Sequence, residues 1–507
     1  MEVARIMYSL LPLLSVMTPL SIGILHLILH PFWFLEQFFK KAHKILLLFG
    51  ASLTLTIILS MVPYVLAGEI LEVPHLALYV DSRNIVGLIG VALIFFLTSI
   101  YNVEAEKGGR LKPTMYNFFL MLFLCCMLGL LLSYDLFGIF LFVELTIGVS
   151  VILVAHNPSK LSTEAAFKYL IITAVSALFV LLGVLIIFFL AGSTNLFIIT
   201  SNPDTQARLV ENPHLLMLAV ACFIIGLGAD IGIVPFHGWL PDVFPGSTII
   251  INGFFCSEPI ALILALYNLV APFYRIYPSN TIIMLMAGLG LLSMVFGALV
   301  AYSQKNFYRM LAYCSIDEFG HIVFVLGLLT SPMSFIVGQF YLVNSAMMKA
   351  GMILSLGSVF FKVGTADMQK LGGLLGKMNK TALSYIICAL SLAGVPPLSG
   401  FYAKWLLYSV AYNFLLELGG ITIAVVTLIF LICISLITFV FLLRSFHHIF
   451  MGEATETTKE ASEAHWTMWF PTVVLALTSV ILGLQPQILL WFCGKSIPLS
   501  QMLFQGL

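Results

Sequence analysis

The chain has 507 residues, of which 61% are apolar, 13% aromatic and 9% charged, and its 23 basic residues balance 23 acidic ones. A soluble domain carries about 25% charged residues to face water, so this composition excludes a soluble protein, and the lack of a basic surface excludes a nucleic-acid partner. What remains is an all-α, polytopic integral membrane protein whose first partner is the lipid bilayer.

Apolar runs such as Phe118 to Leu132 and Tyr169 to Leu190 approach or exceed the roughly 18 residues that read as a membrane helix. Cut at their polar breaks, they predict about 14 spans: 6–29, 45–67, 82–102, 114–132, 134–155, 163–191, 214–234, 247–272, 281–302, 308–329, 333–361, 381–413, 419–446 and 467–492. Strands are not expected to cross the membrane, because the runs far exceed the roughly 10 alternating residues of a membrane strand.

Loops after odd-numbered spans hold fifteen basic residues, from Lys40, Lys41 and Lys107 to Arg444 and Lys459, whereas loops after even-numbered spans hold only Arg83, Arg208 and Arg275. By the positive-inside rule the odd loops are cytoplasmic and both termini face outward from a cell membrane. Pro235 and the Pro396-Pro397 pair predict two broken helices, since proline removes backbone hydrogen bonds. The breaks lie about five spans apart. An odd separation matches the inverted repeats of transporters, with two unrelated proline kinks as the alternative.

Ionisable residues inside apolar spans cost at least about 2.5 kcal/mol each on insertion scales. Seven are expected here: Glu144, Asp230, Glu258, Asp317, Glu318, Lys349 and Lys404. Lys168 stands near an interface, and His237 and His321 titrate near neutral pH. An internal ion pair or a helix-end position is the plain alternative for any one of them. As a set they read as an ion path, in which each group responds to its neighbour's charge. Eight cysteines without CxxC spacing read as small buried residues rather than metal or disulfide ligands. No cofactor is expected, and any redox chemistry must belong to partners. Gly226-Leu227-Gly228 reads as a helix-packing site, and Ser133-Tyr134-Asp135 as a short turn. Glu453 to Glu463, with four glutamates and one lysine, reads as a solvated cytoplasmic loop.

At these residues the chain resembles the antiporter-like subunits shared by respiratory complex I, multisubunit cation/proton antiporters, and membrane-bound hydrogenases or sulfane sulfur reductase. The motifs are Asp135-Leu136 with Phe142-Val143-Glu144-Leu145, Ala165-Ala166-Phe167-Lys168-Tyr169, Val234-Pro235-Phe236-His237-Gly238-Trp239-Leu240-Pro241-Asp242, Arg309-Met310-Leu311-Ala312-Tyr313-Cys314-Ser315-Ile316, Lys349, and Pro396-Pro397-Leu398-Ser399-Gly400-Phe401-Tyr402-Ala403-Lys404. The resemblance implies N-terminal helices over 1–112, a first inverted repeat over 113–272, a second over 281–446, and a cytoplasmic loop with a last helix over 447–507. Each five-helix repeat would contain one broken helix and form a half-channel on a polar axis. It also implies partners: further antiporter-like subunits and a redox module.

The departures carry weight. The family lysine before Pro235 falls on Asp230, Glu318 and Ser345 stand where histidines are usual, Val143 replaces a common tryptophan, and Glu258 lies near the place of the eighth-span lysine. The first half thus holds Glu144, Asp230 and Glu258 without a lysine; the second keeps Lys349 and Lys404. Carboxylates without a cation must share a proton or bind a metal ion. Three readings follow: a proton path rebuilt on carboxylates, a sodium ion at Glu144, Asp230 and Glu258, or a degenerate half-channel in a structural or coupling subunit. A redox-linked respiratory complex is the leading setting, and a stand-alone cation/proton antiporter the other.

Overall fold

The computed structural model describes residues 10–28, 36–106, 108–329 and 332–488, with side chains from residue 42 onward in the second of these segments. Lys107, Cys493 and the side chains of Lys40 and Lys41 lie outside the described residues. Among the described residues thirteen helices are long and apolar enough to cross a membrane. The chain is therefore a multi-pass integral membrane protein.

The helices are α1 (Leu11–Ile28), α2 (Glu36–Leu66), α3 (Ile85–Ala105), α4 (Pro113–Leu132), α5 (Leu136–Val154), α6 (Lys160–Ala191), α7 (Leu196–Ser201), α8 (Pro203–Glu211), α9 (Pro213–Ile231), α10 (Leu240–Gly246), α11 (Ile249–Phe255), α12 (Glu258–Ile276), α13 (Asn280–Ser303), α14 (Phe307–Gly327), α15 (Pro332–Val363), α16 (Asn379–Ala393), α17 (Ser399–Phe450) and α18 (Trp466–Leu484). A two-stranded antiparallel hairpin, β1 (Leu71–Val73) and β2 (Leu78–Val80), pairs Glu72 with Tyr79 between α2 and α3.

The expected count of about fourteen and the thirteen long helices are reconciled at one place. α17 runs for 52 residues but carries a non-helical Gly420 (φ 77°) that divides it, while α16 has only 15 residues and is too short to span. The stretch read as span 381–413 is thus α16, a break, and the part of α17 before Gly420. A second difference lies in the predicted eighth span, which is interrupted at Cys256-Ser257 to give α11 and α12. Glu258, expected inside the eighth span, is therefore the first residue of a helix. Pro259 explains it: proline is tolerated in the first turn, where its missing N–H has no intrahelical partner to lose.

Two units make up the chain. One comprises Met1–Ser99, Lys107–Trp239 and Glu258–Met286; the other comprises Ile100–Glu106, Leu240–Ser257 and Ala287–Leu507. In the first unit, glycines let helices approach closely. A Cβ on Gly226 would meet Val180 Cγ2 at 2.6 Å and the Ser176 carbonyl at 3.0 Å, and the Ser176 hydroxyl donates to the Gly226 carbonyl at 2.7 Å. The Gly226-Leu227-Gly228 segment thus packs α9 on α6, as its sequence predicts. Asp135 is the N-cap of α5, accepting from the amides of Phe137 and Gly138 and from the Thr194 hydroxyl at 2.6 Å.

In the second unit, α14 and α15 are almost wholly buried, yet their span windows are among the least apolar in the chain. The most apolar windows, in α6 and α17, are among the least buried. That inside-out distribution is expected of a bundle whose outer surface faces lipid and whose centre holds polar groups. Cys433 departs from the expectation for cysteines by being exposed, whereas the other described cysteines are buried. The Glu453 to Glu463 loop is not simply solvated either. Lys377 Nζ donates to the carbonyls of Thr458 and Lys459 at 2.8 and 2.7 Å, and Glu463 accepts from the Lys380 amide at 2.8 Å and the Thr381 hydroxyl at 2.7 Å.

Candidate functional site

The two helix breaks share one local sequence pattern. Gly232-Ile233-Val234-Pro235-Phe236-His237-Gly238-Trp239 and Gly394-Val395-Pro396-Pro397-Leu398-Ser399-Gly400-Phe401 place glycine, proline, glycine and an aromatic residue at matching positions. Gly232 ends α9 at φ +87° and Gly394 ends α16 at φ +84°, the left-handed conformation that glycine adopts without steric penalty at a helix C-terminus. The Val234-Pro235 and Pro396-Pro397 bonds are both cis.

In the first unit the last turn of α9 carries Asp230, 1% exposed, and neither carboxylate oxygen has a hydrogen-bond partner. Glu144 of α5 and Glu258 of α12 both act on it electrostatically. Glu258 Oε1 accepts from the Ser150 hydroxyl at 3.1 Å and the Tyr169 hydroxyl at 3.2 Å. The Tyr169 ring stacks on Trp239 at 4.2 Å, and Trp239 Nε1 donates to the carbonyl of Ala229 at 2.9 Å, the residue beside Asp230. Two carboxylates and the break are thereby joined through one aromatic pair. A carboxylate at the start of α12 also meets the positive end of the helix dipole. Glu144 is half-buried, with Oε1 enclosed and unpartnered. His237 lies half-buried in the 3-10 turn His237–Trp239.

Lys168 does not join this set. Its side chain is 45% exposed and pairs with Glu164 at 2.7 Å, one turn away. The first unit therefore gathers Glu144, Asp230 and Glu258 without a lysine, and Lys168 faces outward. Among the described residues no three His, Cys, Asp or Glu side chains converge closely enough to hold a metal ion.

The second unit has mixed charge. Asp317, fully buried, accepts from the Thr438 hydroxyl at 2.7 Å, and its Oδ1 lies 3.3 Å from His321 Nδ1. His321 Nδ1 also lies 3.0 Å from the Asp317 carbonyl. Glu318 is 1% exposed with both oxygens unpartnered. Lys349 lies over the Phe319 ring at 4.8 Å, a cation–π contact. Lys404 Nζ is buried without a partner, and its stem runs along the break: a Cβ on Gly394 would lie 2.9 Å from Lys404 Cδ. Both lysines, with Asp317 and Glu318, act electrostatically on Cys314. The Ser399 hydroxyl, at the start of α17, bonds Asn344 Oδ1 at 2.5 Å and the Ser479 hydroxyl at 2.9 Å.

Sequence reasoning located the charges but missed the neutral groups that hold them: Ser150, Tyr169, Trp239 and Thr438. Tyr169 and Trp239 stood inside quoted motifs. Only their distance in the fold links them. Asp242 and Arg309, in two other motifs, form an ion pair at 3.3 Å within the second unit.

Buried ionisable groups on interrupted helices define a polytopic membrane protein of the transporter type. The chain belongs to the NADH:quinone oxidoreductase/Mrp antiporter transmembrane family, which matches residues 133–435, and is thus an antiporter-like membrane subunit. It is similar to a Na(+)/H(+) antiporter subunit from Alkalihalophilus pseudofirmus, 29% identical over 401 residues that cover 78% of this chain and 76% of the relative. Its fold is that of a chain in the Mrp complex from Dietzia sp. DQ12-45-1b, with a TM-score of 0.83, 21% identity and 99% of each chain covered. It is also that of a chain in the archaeal membrane-bound sulfane sulfur reductase, with a TM-score of 0.81, 22% identity and 96% of each chain covered.

Proposed function

We propose that the chain is an ion-translocating subunit of a larger membrane complex, in which protons move through two sets of buried ionisable groups, one in each unit. One observation carries the reading: Asp230 is buried and stands in the field of Glu144 and Glu258, with the Ser176 hydroxyl and no cation acting against them. A buried carboxylate with like charges around it and no cation beside it favours holding a proton, even with the Ser176 hydroxyl nearby. The three acids therefore carry fewer than three negative charges between them, and a proton added to one changes the affinity of the others.

In the second unit, Lys349 and Lys404 with Asp317, Glu318 and His321 supply both signs of charge. A proton arriving there redistributes the lysine partners. The two breaks, with their common Gly-x-x-Pro-x-x-Gly-aromatic pattern, support two inverted repeats over 113–272 and 281–446. The charge asymmetry of the loops supports a cell-membrane location with both termini outside.

The similar structures come from an Mrp complex and from a respiratory complex, which supports assembly with other antiporter-like subunits and, in the respiratory setting, with a redox module. The test is ion pumping by the assembled complex in liposomes. Glu144→Ala, Asp230→Asn and Lys404→Ala each abolish pumping while the complex still assembles; unchanged pumping in all three overturns the reading in favour of a structural subunit. Pumping that requires Na⁺, with the requirement lost in Asp230→Asn, assigns sodium instead of protons.

A further inference from the structure

The loops after even-numbered spans hold three basic residues in all, and two of them line one cavity. Arg83, just after β2, and Arg275, in the last turn of α12, meet around a cleft of about 270 Å³ whose walls also include Tyr134, Gln206, Tyr267 and Asn268. The third, Arg208, is used otherwise: it donates to the Ala191 carbonyl at the end of α6 at 3.3 Å and to the Thr205 hydroxyl at 3.4 Å. All these residues lie in the first unit.

Two like charges that converge on one space repel unless something between them is negative. Asp81 is the carboxylate paired with Arg83. Asp81 Oδ2 accepts from Arg83 Nε at 2.6 Å and Asp81 Oδ1 from the Arg83 backbone amide at 2.7 Å, so Asp81 fixes the arginine along one edge. Burial opposes the charge on Arg83, but Asp81 together with the Tyr79 and Tyr134 phenols holds the guanidinium above its ordinary pKa. The Tyr79 ring sits 6.0 Å from Arg83 Cζ and meets Tyr134 edge-on at 4.6 Å, which orients the arginine further. Arg275 interacts with the Tyr267 hydroxyl and has no carboxylate partner among the described residues. Its place at the C-terminal end of α12 suits a cation, but that alone does not explain a second arginine from a separate element on the same cavity.

We propose that the Arg83–Arg275 cavity binds a phosphate-type oxyanion, either the headgroup phosphate of an anionic lipid or free phosphate. Guanidinium groups pair with phosphate through parallel N–H donors, and the phenols and amides of Tyr134, Tyr267, Gln206 and Asn268 supply neutral donors from other directions. Donors from several elements suit a tetrahedral anion better than a planar carboxylate, which one guanidinium satisfies. Thr200 of α7 also lines the cavity, and on that helix Phe197 and Ile198 are 68% and 47% exposed. Apolar side chains beside a cationic cleft are the environment of a lipid headgroup at a membrane surface.

The test uses the full chain, purified alone or within its complex, in nanodiscs of phosphatidylglycerol or of phosphatidylcholine, with native mass spectrometry counting retained lipids. Equilibrium binding of inorganic phosphate is measured in detergent. Retained phosphatidylglycerol that falls at least tenfold in Arg83→Ala/Arg275→Ala, without retained phosphatidylcholine, assigns the lipid headgroup. Phosphate binding with the same arginine dependence, and no retained lipid, assigns the free anion. Arg275→Gln alone, exposed at a helix end, gives the same reading if the double variant fails to fold. Equal binding of both probes by the native chain and by Arg275→Gln overturns the proposal.

Discussion

The hydroxyl of Tyr169 lies 3.2 Å from Glu258 Oε1, and its ring stacks on Trp239 at the first helix break. One side chain thus reads both a buried carboxylate and the turn that follows Asp230. A typical intramolecular hydrogen bond contributes about 0.5–1.5 kcal/mol net. Tyr169→Phe keeps the stack and removes the donor. Pumping by the complex falls and its pH profile shifts, because the proton affinity of Glu258 changes, while the thermal midpoint of the complex moves little. Tyr169→Ala also loses the stack and lowers stability; a pH profile unchanged in Tyr169→Phe refutes the coupling.

Asp230→Lys places a cation among Glu144 and Glu258. Opposite charges at short range in a low-dielectric interior attract strongly, so the substitution locks the two glutamates in their ionised form. The expected result is a complex that assembles and has lost proton pumping. Flux above that of the native chain would mean instead that the first unit lacks a working path that the lysine restores.

The membrane class, the spans and six buried charges with the half-buried Glu144 were legible in the sequence, because apolar run length and the cost of burying charge are local properties. The boundaries were less legible where a helix break redistributes residues between neighbours, at α16 and Gly420, and where the eighth span is interrupted just before Glu258. Lys168 read as a residue near an interface, and its side chain is 45% exposed beside Glu164 one turn earlier. Ser150, Tyr169 and Thr438 were invisible as site residues. A hydroxyl becomes part of a site only through a carboxylate 108, 89 or 121 residues away in the chain, and a single sequence carries no trace of that distance.

Gly226 has a sharper stability signature. Valine at this position drives its side chain into Val180 Cγ2 and the Ser176 carbonyl, both within about 3 Å of the new Cβ, and overpacking of this kind costs about 1–3 kcal/mol. The hydrogen bond from Ser176 to the Gly226 carbonyl lengthens as α6 and α9 separate. A lower thermal midpoint in detergent is the expected readout, and an unchanged midpoint would show that the two helices pack differently.

Gly394 ties stability and site together at the second break. Its φ of +84° disfavours any residue with a Cβ by roughly 1–2 kcal/mol, and the Cβ of Gly394→Ala would also press on Lys404 Cδ at 2.9 Å. The lysine stem is flexible enough to move aside. The backbone is not. Gly394→Ala therefore displaces the Lys404 ammonium and reduces pumping, while Gly376→Ala, in an open loop where a Cβ meets nothing within 4 Å, leaves pumping at the native level. Accessibility of Lys404 to an amine-reactive probe distinguishes the causes: it changes in Gly394→Ala if the lysine has moved, and stays native if the loss reflects general destabilisation alone.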